Sequence, residues 1–277
     1  MRWLHFILSH SIFIAFCGVA MCVQTVILLR LELNAWLLFF IFFSTLASYN
    51  FYWLISKYSF ERNKISWKIF ARKNIFSISL SLFSGLLMLF FLWFVRSIWV
   101  YVCISILLTL LYSLPLWPFA FALKARRAGF LKTVLLAFTW AFVTTVIPAV
   151  PGLKDDVAAV LILLAARFFF FMMLALIFDM RDKEIDKIRN LRSLATDAAP
   201  KALRIAMYLL FILYMAAGLF VRIHFDDGAQ VAAFFITGLL VWFVYQLSLR
   251  KRGYFFYYFV VDGLMLFSLL ASLLATV

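Results

Sequence analysis

A long apolar run in the sequence ends in a cluster of acidic residues. Asp179, Asp182 and Asp186 are spaced so that their carboxylates lie on one face if the preceding helix continues through them. Three such charges repel one another at the edge of a low-dielectric region unless a metal ion or a basic group lies between them. Mg²⁺, bound by one or two carboxylates, water and phosphate oxygens, suits this DxxDxxxD pattern. The alternative is a solvated helix end whose acids pair with neighbouring basic residues.

Composition places these acids in a membrane protein. The 277 residues are 67% hydrophobic, 20% aromatic and only 14% charged, and the mean hydropathy is +1.06. We therefore expect an all-α polytopic membrane protein with nine transmembrane helices, forming a single domain over residues 1–277. The nine apolar runs are 3–29, 35–56, 75–95, 98–117, 130–150, 157–178, 203–222, 229–248 and 254–276.

Basic residues fall mainly in alternate loops. Most of the 26 Lys and Arg residues lie at the N-terminus and within 57–73, 124–132, 181–204 and 250–252. By the positive-inside rule, these regions face the cytoplasm and the C-terminus lies outside. We expect an integral, multi-pass protein of a bacterial inner membrane. No basic segment is long enough to form a separate nucleic-acid-binding module, so we expect no nucleic-acid partner.

Two ionisable residues lie within predicted helices, where burial of a charge requires a partner or a function. Arg167 lies about 16 Å and Asp262 about 12 Å from the charged ends of their helices, at 1.5 Å per residue. These similar depths suggest an Arg167–Asp262 pair. Alternatively, Arg167 extends toward the membrane surface, or each residue faces its own polar cavity.

The order of these segments resembles the UbiA superfamily of intramembrane prenyltransferases. That family has nine helices, an NxxxDxxxD motif after the second, a Tyr-Ser and basic loop after the fourth, and a second acidic motif after the sixth. Residues 178–194 match the second motif closely, and Tyr112-Ser113 with 124–132 match the middle segment more loosely. The resemblance covers nearly the whole chain and implies a helical bundle with a central cavity open to the cytoplasmic side.

The first motif departs from the family pattern. Asn50 is present, but Leu54 and Tyr58 occupy the two aspartate positions, which removes one of the two acidic clusters that the family uses to hold Mg²⁺ against the diphosphate. Lys57 and Glu61 return to the face of Asn50 if the helix continues. A lysine at this position could bind the diphosphate directly, and the alternative is a juxtamembrane lysine that serves only orientation.

The resemblance implies transfer of an isoprenyl group from a prenyl diphosphate to a lipid or aromatic acceptor, with Mg²⁺ and basic groups stabilising the leaving diphosphate. The resemblance assigns the metal to Asp179, Asp182 and Asp186. The catalytic residues are Asn50, Lys57 and Tyr112. The residues around the diphosphate are Lys124, Arg126 and Lys132.

Two other classes remain open. The missing aspartates suggest a non-catalytic relative that binds an isoprenoid or a partner protein. The intramembrane Arg167 and Asp262 suggest a small transporter, although the odd number of helices and the lack of a visible inverted repeat count against it. The sequence leaves the prenyl length, the acceptor and the oligomeric state open.

Overall fold

The computed structural model describes residues 2–61, 66–113, 129–152, 156–188, 192–225 and 228–276. Every regular element in these ranges is helical. The α-helices are α1 (Arg2–Ser9), α2 (Ile12–Leu28), α3 (Ala35–Glu61), α4 (Trp67–Lys73), α5 (Ile75–Phe94), α6 (Trp99–Ser113), α7 (Gly129–Ala149), α8 (Val157–Ile188), α9 (Leu194–Asp197), α10 (Pro200–Phe225), α11 (Gly228–Ser248) and α12 (Asp262–Ala275). Short 3₁₀ turns span Arg96–Ile98 and Val150–Gly152, and a π-helix spans Phe256–Val261.

The prediction of an all-α polytopic membrane fold is confirmed. Within the described ranges, eight helical spans are long and apolar enough to cross a membrane, and the bent pair α1 and α2 would make a ninth. Each span satisfies its own backbone hydrogen bonds, which is the condition for crossing a hydrocarbon layer.

The first apolar run is not one straight helix. It was predicted as a single span over 3–29, but α1 and α2 are bent by 68° at the break between them. Ser11 adopts a left-handed conformation with φ of 62°, which a right-handed helix cannot continue through. The carbonyl of His10, freed by this break, accepts a hydrogen bond of 3.0 Å from the Nδ2 of Asn50 on α3.

Helix α8 is the centre of the bundle. Most of its apolar stretch is buried inside the protein, whereas very little of α5, at the periphery, is buried. It packs against α7, α10 and α11, while α2 packs against α3, α7 and α12. Because α8 touches several neighbours along its length, groups that it carries at its charged end face side chains from more than one helix.

Arg167 forms part of a buried polar network rather than an ion pair. Its guanidinium donates to the carbonyl of Met21 at 2.9 Å, to Gln24 Oε1 at 3.0 Å and to Thr25 Oγ1 at 3.2 Å. The predicted Arg167–Asp262 pair is therefore wrong, because the partners of Arg167 all belong to α2. Arg167 and Asp262 were expected at similar depths in the membrane, but similar depth does not show which helix packs against the arginine.

The same network continues into the last two helices. Gln24 Nε2 donates to Ser268 Oγ at 3.0 Å and to Ser272 Oγ at 2.6 Å. Gln230 Nε2 donates to the carbonyl of Ser272 at 2.9 Å. Helices α2, α8, α11 and α12 are thus joined by hydrogen bonds between buried side chains, in a region where an unmade hydrogen bond has no water to replace it.

A π-helical turn precedes α12. Residues Phe256–Val261 are wound more widely than an α-helix, and Asp262 comes next as the first residue of α12. A π-turn adds a residue to the helix and rotates the residues after it about the helix axis, and such turns often occur at functional sites. Here it helps set the direction of the Asp262 side chain.

Candidate functional site

Helix α8 extends without interruption through the acidic motif, which is the condition under which the three carboxylates share a face. It runs from Val157 to Ile188 over 32 residues, which corresponds to about 48 Å against a hydrocarbon thickness of about 30 Å. Asp179, Asp182 and Asp186 therefore lie in its last three turns, at the charged end of the bundle. Asp186 is buried, with 8% of its surface exposed.

Asp179 is held from two sides. Its Oδ2 accepts a hydrogen bond of 2.6 Å from the Thr133 hydroxyl and another of 3.2 Å from the backbone N–H of Leu194. Both bonds end on the same oxygen, so its Oδ1 accepts no hydrogen bond from the described residues. This oxygen remains available to a ligand.

Gly129 allows this arrangement. It begins α7, one turn before Thr133, and an added Cβ would lie 2.6 Å from the backbone atoms of both Arg192 and Ser193. Only glycine lets the 192–194 segment approach α7 so closely. That approach brings the N–H of Leu194 to Asp179, and no spacing pattern in the sequence indicated it.

Asp182 is paired with its neighbour in the chain. Arg181 donates from Nε and from a terminal nitrogen to the two carboxylate oxygens, each at 2.7 Å. The guanidinium also lies 4.8 Å from the ring centre of Phe178, 5.2 Å from that of Tyr257 and 4.9 Å from that of Tyr258. Arg181 was not among the predicted site residues. This bidentate ion pair neutralises the Asp182 carboxylate, which the sequence analysis had assigned to a metal.

Lys132 lies near the aspartates, although no salt bridge joins it to any of them in the described part of the chain. It lies in the first turn of α7, and its ammonium is close enough to interact electrostatically with Asp179, Asp182 and Asp186. A basic group therefore lies beside the acidic face. Lys132 was predicted to bind the diphosphate, and its place at this end of α8 is compatible with that role.

Two tyrosines extend the site away from the aspartates. The hydroxyl of Tyr52 is close enough to interact electrostatically with Lys132. The ring of Tyr52 lies 5.8 Å from that of Tyr112, which was predicted as a catalytic residue. Tyr52 was missed by the sequence analysis, although it follows Asn50 by only two residues.

Asn50 is tied to the backbone. Its Nδ2 donates to the carbonyls of His10 at 3.0 Å and Leu46 at 2.8 Å, and only 3% of its surface is exposed. The amide nitrogen therefore stabilises the break between α1 and α2. Its carbonyl oxygen remains for a metal, whereas a diphosphate would need the amide nitrogen, which these two carbonyls already occupy.

The other residues of the first motif have local partners. Lys57 donates to Asn74 Oδ1 at 2.9 Å and lies 4.6 Å above the Trp53 ring. To reach a diphosphate, its ammonium would have to leave both contacts. Leu54 is buried, and the ring of Tyr58 packs 5.2 Å from that of Phe70.

The remaining predicted diphosphate ligands, Lys124 and Arg126, lie outside the described residues.

A magnesium ion is compatible with the donors present. In the part of the chain that the structure describes, no three His, Cys, Asp or Glu side chains gather closely enough to hold a metal by themselves. Mg²⁺ needs only one or two carboxylates when phosphate oxygens and water complete its coordination. The open Oδ1 of Asp179 fits this requirement, whereas Asp182 would first have to exchange Arg181 for the metal.

An aromatic cluster lies deeper in the bundle. Trp140 and Phe171 stack with ring centres 5.4 Å apart, and Trp140 Nε1 donates to the Tyr49 hydroxyl at 3.1 Å. Trp140 is eight residues beyond Lys132, and Phe171 eight residues before Asp179, which places both about 12 Å below the charged groups. Rings at this depth offer an apolar surface for the hydrophobic part of a ligand.

Comparison with known proteins supports the fold. No protein-family model matches the sequence, and no curated protein matches it. The structure is similar to a solved structure of a digeranylgeranylglyceryl phosphate synthase in membranes, with a TM-score of 0.62 and 17% sequence identity over 97% of this chain and 94% of that chain. The described helices therefore form a UbiA-like polytopic membrane fold.

Proposed function

We propose that this protein is an intramembrane prenyltransferase, which transfers an isoprenyl group from a prenyl diphosphate to a hydrophobic lipid or aromatic acceptor. The observation that carries the proposal is the convergence of Lys132 with Asp179, Asp182 and Asp186 at one end of a UbiA-like bundle. Carboxylates beside a lysine, above an aromatic interior, suit a charged diphosphate joined to an apolar chain.

The residues have different roles at different depths in the bundle. Lys132 would hold the diphosphate by charge, with Tyr52 and Tyr112 beside it. Asp179 would hold a Mg²⁺ ion, which would neutralise charge on the leaving diphosphate. As the allylic C–O bond breaks, positive charge develops on the carbon next to the leaving oxygen, where Tyr52 and Tyr112 would be the nearer rings to stabilise it. The rings of Trp140 and Phe171, about 12 Å deeper, would pack against the apolar prenyl chain and keep water away from it.

A second function has its own support. Leu54 and Tyr58 are packed into the protein at the positions where the family carries aspartates. This arrangement favours a relative that binds a prenyl diphosphate, or a partner protein, without transferring the prenyl group. A third alternative, a small transporter, was suggested by the intramembrane Arg167 and Asp262, and the contacts of Arg167 with α2 add no support to it.

Release of diphosphate from geranyl, farnesyl and geranylgeranyl diphosphates, measured with the purified protein in lipid nanodiscs, separates these functions. A transferase releases diphosphate and forms a prenylated product with added Mg²⁺ and a total lipid extract. Asp179→Asn should lose both. Glu184→Gln is the matched control, because Glu184 lies on the same helix but is exposed and, among the described residues, pairs only with Lys187. Binding of every substrate without release would show the non-catalytic relative.

A further inference from the structure

Arg181 is fixed in the protein by aromatic rings as well as by its ion pair. Its guanidinium lies 4.8 Å from the ring centre of Phe178, one turn earlier on α8, and 5.2 and 4.9 Å from those of Tyr257 and Tyr258 in the π-helix before α12. Its Nη1 is buried and has no hydrogen-bonding partner among the described residues. Cation–π contacts are strongest where water is excluded. The guanidinium is therefore held between α8 and the π-helix.

Asp182 is the less constrained member of the pair. Its side chain is 34% exposed, against 22% for Arg181. In the part of the chain that the structure describes, its two oxygens accept hydrogen bonds from Arg181 alone, each at 2.7 Å. A rotation of the Asp182 side chain would break the pair and leave the three ring contacts in place. If the pair opens, we therefore expect Asp182 to move and Arg181 to stay.

Asp179 offers Asp182 a place to move to. The two carboxylates are three residues apart on one helix, so they are neighbours on its surface. Oδ2 of Asp179 accepts the hydrogen bonds from Thr133 and Leu194, which leaves Oδ1 open toward a ligand. A Mg²⁺ ion on this oxygen would have Asp182 within reach as a second carboxylate. Arg181 and the metal are thus competitors for Asp182.

The outcome of this competition depends on whether an anion is present. A metal that took Asp182 by itself would leave the guanidinium of Arg181 without its anion and beside a divalent cation, which is unfavourable on both counts. A diphosphate brings negative oxygens that can bind the metal and the guanidinium together. Exchange of Asp182 from Arg181 to the metal is therefore favoured only when both ligands are bound.

We propose that Arg181 is a positioning residue, which keeps Asp182 away from the metal until Mg²⁺ and a diphosphate are bound together. This inference rests on the proposed prenyl transfer and adds to it a control of the metal site. The metal alone binds weakly through Asp179, and Asp182 completes the site only in the presence of the diphosphate. Arg181 thereby couples the binding of the two ligands.

The test measures metal binding without substrate. Mn²⁺ replaces Mg²⁺ as the probe, because both prefer oxygen ligands and free Mn²⁺ is measured by its electron paramagnetic resonance signal. Arg181→Lys keeps the positive charge but loses the planar fork that holds both carboxylate oxygens and stacks on the rings. In nanodiscs of zwitterionic lipid, we expect its Mn²⁺ affinity to exceed that of the wild type about tenfold. Its affinity for inorganic diphosphate at saturating Mg²⁺, measured by isothermal titration, should fall several-fold.

Two comparisons assign the effect to the pair. Arg252→Lys is the matched control, because Arg252 also lies over an aromatic ring, that of Phe256 at 5.6 Å, but donates to the carbonyl of Leu247 instead of a carboxylate. Its Mn²⁺ affinity should equal that of the wild type. In an Asp182→Asn background there is no carboxylate to release, so Arg181→Lys should no longer change the Mn²⁺ affinity.

A second variant serves if Arg181→Lys shows no cooperative unfolding transition. Tyr258→Leu keeps both charges of the pair and removes one of the rings that hold the guanidinium. Because Asp182 is then held less firmly, the Mn²⁺ affinity should rise in the same direction, by several-fold.

An unchanged or lower Mn²⁺ affinity in folded Arg181→Lys, or in Tyr258→Leu where that variant replaces it, would overturn the proposal. So would an equal rise in Arg252→Lys or in the Asp182→Asn background, an undiminished diphosphate affinity, or the absence of Mn²⁺ binding by every form. Diphosphate release from geranylgeranyl diphosphate is measured in the same preparations. Release with unchanged Mn²⁺ affinity refutes only the control by Arg181, whereas the expected rise in Mn²⁺ affinity without release by the wild type refutes only the transferase function.

Discussion

Arg181 holds the carboxylate of its own neighbour in the chain, Asp182, through two hydrogen bonds of 2.7 Å. Consecutive residues of a helix point about 100° apart, so the arginine side chain must bend back along the helix to form this pair. The three rings around the guanidinium hold it in that position. The second carboxylate of the acidic motif is therefore occupied until a ligand competes for it.

Asp182→Asn tests whether that carboxylate takes part in metal binding. The amide keeps the shape but removes the charge, so Mg²⁺-dependent binding of diphosphate should weaken about ten- to a hundredfold. Isothermal titration with inorganic diphosphate, with and without Mg²⁺, measures the effect. Unchanged Mg²⁺-dependent binding would mean that Asp182 serves only as the partner of Arg181.

Lys132→Met should weaken diphosphate binding without changing its Mg²⁺ dependence, because a lysine acts on the anion and not on the metal. We expect a loss of about tenfold in affinity. Lys57→Met should have a smaller effect, since the Lys57 ammonium is held by Asn74. The same titration compares the two variants. An equal or larger loss of affinity in Lys57→Met would show that Lys57 binds the diphosphate.

Leu54→Asp with Tyr58→Asp restores the residues typical of the family. Leu54 is 8% exposed, so a charge there should destabilise the protein by a few kcal/mol unless a metal binds. We expect added Mg²⁺ to raise the unfolding temperature of this variant more than that of the wild type. Diphosphate release seen only in the variant would show that the natural protein is a binding relative.

Arg167→Gln and Asp262→Asn should have additive effects on the free energy of unfolding, within about 0.5 kcal/mol, because the two residues share no partner. Arg167→Gln removes hydrogen bonds to α2 and should cost roughly 1–3 kcal/mol. Chemical unfolding of the three variants in mild detergent provides the measurement. A double variant more stable than the less stable single variant would indicate that Arg167 and Asp262 do form an ion pair.

Gly129→Ala should displace the 192–194 segment, because its new Cβ would lie 2.6 Å from backbone atoms that cannot rotate away. The free energy of unfolding should fall by about 1–3 kcal/mol, and diphosphate binding should fall with it as Asp179 loses the N–H of Leu194. Gly85→Ala is the matched control, since nothing lies within 4 Å of its added Cβ. Equal stability of the two variants would contradict the close approach at Gly129.

Much of the fold could be predicted from the sequence, because hydrophobic length and charge suffice to define a membrane span. The continuation of α8 through Asp186 was the condition on which the spacing of the three aspartates was interpreted, and the structure meets it. The bend at Ser11 did not, because a single left-handed residue leaves no mark on the hydropathy pattern. The apolar run over 3–29 has the same pattern whether the helix is straight or broken.

The site was harder to predict, because spacing defines the face of a helix but not the helix that faces it. Asn50 was recognised by its place in a motif, yet its amide nitrogen bonds to the backbone of His10 and Leu46. Arg167 was recognised as a buried charge, yet its partners lie on α2. Lys132 was placed near the diphosphate through the resemblance to a family. A family motif indicates which residues lie close together in space, whereas composition does not.

The wide turn at Phe256–Val261 also bears on how related chains should be aligned. A π-turn holds one residue more than an α-turn, so deletion of a single codon in this segment would let the helix rewind. Asp262 would then turn about 100° around the axis relative to the residues before the turn. A one-residue gap here would thus mark the loss of the carboxylate from the interior, even in a homologue that retains the aspartate.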